Sequence, residues 1–103
     1  MRPLSPQLMA LHKIKNLLQD PENWTQGLRH RPRDQGCGSY CILGAIIAVT
    51  DDPFLQAQLC DRFRELLPTY SIPLWNDRAG TTHADVIELI EQAILNQEMA
   101  DAA

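Results

Sequence analysis

From Tyr40 to Val49 the chain carries no charged side chain and is apolar almost without interruption. A chain of 103 residues has material for one domain and one modest core, and that core has to form around this segment. A short apolar run can be a buried helix or a buried strand, and periodicity alone does not separate the two. The small side chains separate them here. Cys41, Gly44, Ala45 and Ala48 fall at i, i+3, i+4 and i+7, with Ile42, Ile46 and Val49 on the opposite side, so the spacing predicts a helix with a stripe that lets a neighbouring helix come close.

The flanking segments supply the neighbours. Ser5 before Pro6 is a helix-start pair: the serine oxygen can accept an orphan backbone N–H, and proline's missing donor costs nothing in the first turn. Leu8, Leu11, Ile14, Leu17 and Leu18 then recur at helical spacing, predicting an amphipathic helix to about Gln19. Asp20 and Pro21 stop it and open a short helical turn through Trp24. Asp51 and Asp52 before Pro53 start a third helix, carried by Leu55, Leu59, Phe63, Leu66 and Leu67 and stopped by Pro68. Thr82 caps the last helix, and Asp85 three residues on completes a capping box. Val86, Ile87, Ile90, Ala93, Ile94 and Gln97 mark its buried side, and the alanine-rich end is expected to fray.

Two stretches have no period. Thr25 to Ser39 is punctuated by Gly27, Pro32, Gly36 and Gly38, and Thr69 to Gly80 holds Pro73 and the cluster Trp75, Asn76, Asp77, which reads as a turn anchored by a large aromatic. The expectation is an all-α single domain over residues 1–103, with a core from about 5 to 98. It is a compact four-helix bundle with two irregular Gly/Pro-rich loops and the Tyr40 helix at its centre. Both loops bracket helix starts, so they are expected to meet at one end of the bundle, the first place to look for function.

Charge and cysteine usage narrow the classes. The net charge of -4 provides no global positive field for a phosphate backbone. Cys37, Cys41 and Cys60 are an odd number at irregular spacing, which argues against the disulfide framework of a small secreted domain. No apolar run reaches the length of a membrane span and no leader is evident, so a cytoplasmic location is expected.

Asp20-Pro21 with Trp24-Thr25, Cys41-Ile42-Leu43-Gly44-Ala45, Trp75-Asn76-Asp77 and Thr82-His83-Ala84-Asp85-Val86 follow one another in an order and spacing that resembles a family of small bacterial and bacteriophage proteins of unknown function. The resemblance covers residues 8 to about 95. It implies a compact helical domain in bacteria, phages or mobile elements, and it implies no reaction.

Three constellations could carry chemistry. In the first, Cys41 at a helix start is a thiol nucleophile, His83 its base, and Asp77 or Asn76 the group orienting the imidazole. A helix N-terminus stabilises a thiolate, a histidine can take the thiol proton, and a third polar group fixes the tautomer. The stretch from Gln35 to Cys41 is similar to the nucleophile segment of papain-like proteases, but Tyr40 displaces the second cysteine and such folds need a much longer chain. The competing explanation, a buried small side chain, fits Cys41 better. In the second, Cys37, Cys41, Cys60 and His83 form a Cys3His set, which lacks the closely spaced ligand pairs of a structural zinc site. In the third, Arg29, His30, Arg31 and Arg33 form a basic run near Trp24 that could grip an acidic partner or phosphate. The resulting expectation is a non-catalytic binding or regulatory protein without cofactor or metal. Its binding residues are Trp24, Arg29, Arg31, Arg33, Trp75, Asn76, Asp77 and His83, and its partner is another protein rather than nucleic acid or membrane. The alternative is a cysteine-dependent hydrolase or transferase using Cys41, His83 and Asp77.

Overall fold

The computed structural model describes residues 4–28, 30–31 and 38–103, with only the backbone of Arg31. Helix α1 spans Pro6–Leu18, α2 Ile42–Val49, α3 Pro53–Arg64, α4 Ile72–Asp77 and α5 His83–Ala102. One turn of 3-10 helix, Pro21–Asn23, follows α1, and two short strands, β1 (His30–Arg31) and β2 (Ser39–Tyr40), pair antiparallel before α2. The domain is all-α, as composition and period imply.

The helix starts obey local chemistry. Ser5 Oγ accepts the N–H of Leu8 at 3.1 Å, and the Asp52 carboxylate accepts from Phe54 and Leu55. At α5 the capping box is complete: Thr82 Oγ1 accepts from Asp85 N while Asp85 accepts from Thr82 N. The same serine–proline signal operates at α4, where Ser71 Oγ accepts from Leu74 N and Pro73 sits in the first turn. The reading of Trp75, Asn76 and Asp77 as a turn is therefore corrected. They are the last residues of a helix of six residues, too short to display a period.

Helix α1, rather than α2, is the central element: it packs against α2, α3 and α5. The reason is length. Thirteen residues in α1 present Leu8, Ala10, Leu11, Ile14 and Leu18 to the interior, whereas α2 has eight residues and its last turn emerges from the core. The small-residue stripe of α2 is corrected at its end only. Cys41, Gly44 and Ala45 are buried together with Ile42 and Ile46, while Ala48 is exposed. Phe63 of α3 and Ile90 of α5 complete the centre, each such burial worth ~1.5–3 kcal/mol. The end of α5 does not fray. Helix continues to Ala102, and Asp101 accepts from Ser5 Oγ at 2.6 Å and from Gln97 Nε2 at 2.9 Å, tying the two ends of the chain together. Among the described residues no helix is long and apolar enough to cross a membrane.

Candidate functional site

The two irregular segments meet, and Asn76 is the point of contact. Its side chain is 0% exposed. Oδ1 accepts from Trp24 Nε1 at 2.9 Å and from the backbone N–H of Ile42 at 3.2 Å. Nδ2 donates to Thr25 O at 3.1 Å and to Asp77 Oδ1 at 2.8 Å. A primary amide has two donors and two acceptor positions, and all four are used inside the protein. The bond to Ile42 also satisfies one of the orphan N–H groups that open α2.

Around this amide the chain from Trp24 to Gly27 is strapped onto the end of α4. Thr25 N donates to Tyr40 O at 2.9 Å. Gln26 Nε2 reaches Asn76 O at 2.9 Å and Arg78 O at 3.1 Å. Gly27 donates its N–H to Asp77 Oδ1 at 2.8 Å. Gly27 has φ +83 with nothing near a notional Cβ, so the turn requires glycine for its backbone conformation rather than for space. Beneath the strap, Thr81 Oγ1 donates to Trp75 O at 2.8 Å.

The residues of the thiol–imidazole alternative lie within this framework, each engaged separately. Cys41 is the N-cap of α2, 3% exposed, and its Sγ accepts the N–H of Gly44 at 3.3 Å. It thus flanks the first turn of the helix rather than lying in it. His83 Nε2 lies 2.6 Å from Leu18 O. A carbonyl only accepts, so the ring proton is on Nε2 and the imidazole ties the start of α5 to the end of α1. The expected bond from His83 to the Trp75–Asp77 segment is absent, and its ring instead lies tilted against Trp24, with centroids 6.2 Å apart. Asp77 accepts from Gly27 and Asn76 rather than orienting His83.

The remaining residues expected to bind divide by burial. Trp75 and Asn76 are buried, Trp24 and His83 are partly buried, and Asp77 is exposed. Arg31 lies in β1, paired with Ser39, while Arg29, Arg33 and Cys37 lie outside the described residues. In that strand pair the ring of His30 stacks on Tyr40 at 4.4 Å. Among the described residues no group of three or more His, Cys, Asp or Glu could hold a metal ion. Cys60, on α3, is buried, and burial pushes its thiol pKa up, with Asp61 adding to the rise and Arg64 opposing it.

The profile of a family of unknown function, DUF6197, matches residues 3–96. The chain belongs to this family. No curated protein and no solved structure matches it. In this DUF6197 chain the four segments singled out in the sequence are distant along the backbone and adjacent in space. Trp24 and Thr25, Ile42 and Asp77 all bond to Asn76, while His83 packs on Trp24. Asn76 was legible as a polar residue near an aromatic, but three of its four partners, Trp24, Thr25 and Ile42, lie on other elements and leave no local spacing to read.

Proposed function

We propose that this DUF6197 chain is a small non-catalytic binding protein whose partner is another protein, in the bacterial, phage or mobile-element setting that the resemblance implies. The supporting observation is that the groups suited to nucleophilic catalysis are committed to helix ends. Cys41 is sealed under the start of α2, and His83 holds the end of α1. An enzyme working through them would first have to break the contacts that close the domain. The basic run Arg29, His30, Arg31 and Arg33 in the first segment is charged opposite to the molecule as a whole. It suits an acidic partner surface.

Carbamidomethylation of the native protein by iodoacetamide near neutral pH, followed by peptide mapping, tests this reading. Slow labelling of Cys41 and Cys60 that becomes fast only in urea is the expected result. Rapid labelling of Cys41 in the native state would overturn it in favour of a cysteine-dependent hydrolase or transferase. Substituting Arg29, Arg31 and Arg33 by alanine is expected to weaken capture of a partner without altering the fold.

A further inference from the structure

In a protein of net charge -4, one long depression is lined, among the described residues, without a carboxylate. An open groove of about 600 Å³ between α1 and the end of α2 is lined by Lys13, Asn16, Leu17, Tyr40, Ala48 and Val49. A second hollow of about 230 Å³ shares Lys13 and Val49 with it and runs on to Pro6, Met9, Thr50 and Leu55. The two form one trough along the outer face of α1, where positions 6, 9, 10, 13, 16 and 17 make a single helical stripe. From Pro6 to Leu17 that stripe is roughly 17 Å long, about three helical turns. Two other grooves differ: one includes Asp85 and Glu88, the other Asp61 and Glu65. Lys13 is exposed and has no ion pair or hydrogen bond among the described residues, whereas Lys15 pairs with Glu91 at 3.5 Å.

We infer that the trough docks an amphipathic α-helix of a partner protein, apolar on its docking face and carrying a carboxylate opposite Lys13. This rests on the binding reading above and specifies the occupant's chemistry. The length matches the three turns over which helix-in-groove recognition places its i, i+3/i+4 and i+7 anchors. Met9, Leu17, Val49 and Leu55 offer the apolar walls, and Met9, 46% exposed, can re-pack around a guest. Ala48, the exposed end of the small-residue series in α2, leaves room for a large anchor side chain.

Charge chooses among occupants. A second copy related by a two-fold axis through the trough would bring two Lys13 ammonium groups together, which disfavours a symmetric dimer here. A single cation is too little to hold a nucleic acid backbone. The trough is also polar along its length. Asp51 and Asp52 are exposed just beyond Thr50, while His30 stacks on Tyr40 at the other end. The acidic side of the guest therefore faces the Tyr40 end.

The test uses the whole isotope-labelled chain and two synthetic capped helical peptides, each about 18 residues or five turns long. They share a leucine face and differ only in carrying glutamate or lysine beside it. The glutamate peptide is expected to shift the amide resonances of Met9, Lys13, Leu17 and Val49 saturably and to bind about fivefold more tightly than the lysine peptide. Lys13→Glu is expected to invert that order. Ala48→Phe, which fills the groove from an exposed position, is expected to weaken both peptides by about tenfold or more with the circular dichroism unchanged. Saturable shifts centred on Gln26 and Arg78 would overturn the trough and leave the binding reading standing. So would an unchanged peptide preference in Lys13→Glu, or no saturable shift at millimolar peptide. Chain growth with concentration in light scattering would replace the partner by a second copy, whose α5 exposes Leu95 and Met99 beside Glu98. Fast native labelling of Cys41 would overturn the binding reading itself, whatever the peptides do.

Discussion

The two ends of helix α2 are built on opposite principles. At its start polar groups close the helix: Cys41 caps Gly44, Asn76 holds Ile42, and the same amide ties down Trp24 and Thr25. At its finish Ile47 and Ala48 are exposed, Val49 is half-buried, and Lys13, which lines the same groove, has no counter-charge among the described residues. The polar, cysteine- and histidine-bearing end is the structural one, and the plain apolar end is the one open to a guest. Residue types that suggest chemistry therefore mark where the domain is closed, because burying an amide, a thiol and an imidazole together requires that each be hydrogen-bonded.

The largest expected effect comes from breaking the closed end. Asn76→Leu keeps the volume and removes all four bonds, taking from the buried Ile42 N–H and from the Trp24 Nε1–H the acceptor that each uses. At about 1–3 kcal/mol per stranded buried group, a loss of roughly 3–5 kcal/mol is expected, read as a lowered urea midpoint at unchanged slope. The same substitution should make Cys41 label faster in the native state while Cys60 on α3 stays slow. A variant as stable as wild type would show that the two ends of α2 do not differ in this way.

How much of this contrast was legible depends on how far apart the cooperating residues lie. Ser5, Asp52 and the Thr82–Asp85 pair announced three helix starts because a cap acts over three residues and leaves a local spacing. The buried sides of α1 and α5 followed from period. The α4 helix was missed even though its Ser71–Pro73 start uses the same chemistry, because six residues cannot complete a pattern. The extent of the buried face of α2 was misread for a different reason. In an all-apolar segment every side looks buried, and only the neighbours determine that Ile42, Ala45 and Ile46 face inward while Ala48 does not. Asn76 and the trough had no local signature: one depends on partners roughly fifty and thirty-four positions away, the other on charges that are absent.

Smaller effects sharpen the comparison. Gly27→Ala forces an alanine into φ +83 at the strap, with an expected cost of about 1–2 kcal/mol. Gln26→Ala removes the side chain that crosses to the end of α4, at about 1 kcal/mol. Cys60 provides a pH-confined test away from both ends of α2. Its folded pKa lies above the ordinary thiol value because burial penalises the thiolate. The folded chain therefore holds that proton more tightly than the unfolded one. The contribution is complete below the unfolded pKa and is lost as pH rises through the folded value. Alkaline unfolding curves should accordingly show a smaller loss of stability for Cys60→Ala than for wild type.

The smallest effect is expected at the open end. Lys13→Glu exchanges residues of similar helix propensity on the exposed side of α1 and breaks no ion pair among the described residues, so the unfolding free energy should change by no more than about 0.5 kcal/mol. This near-zero result is as informative as the large loss at Asn76. If Lys13→Glu unfolds as wild type does while reversing peptide preference, the two ends of α2 separate cleanly into one that holds the domain and one that meets a partner. If it costs as much as Gly27→Ala, the aliphatic stem of Lys13 is packing against Val49 and Leu17 as part of the core, and the trough is a seam of the fold rather than a place for another helix.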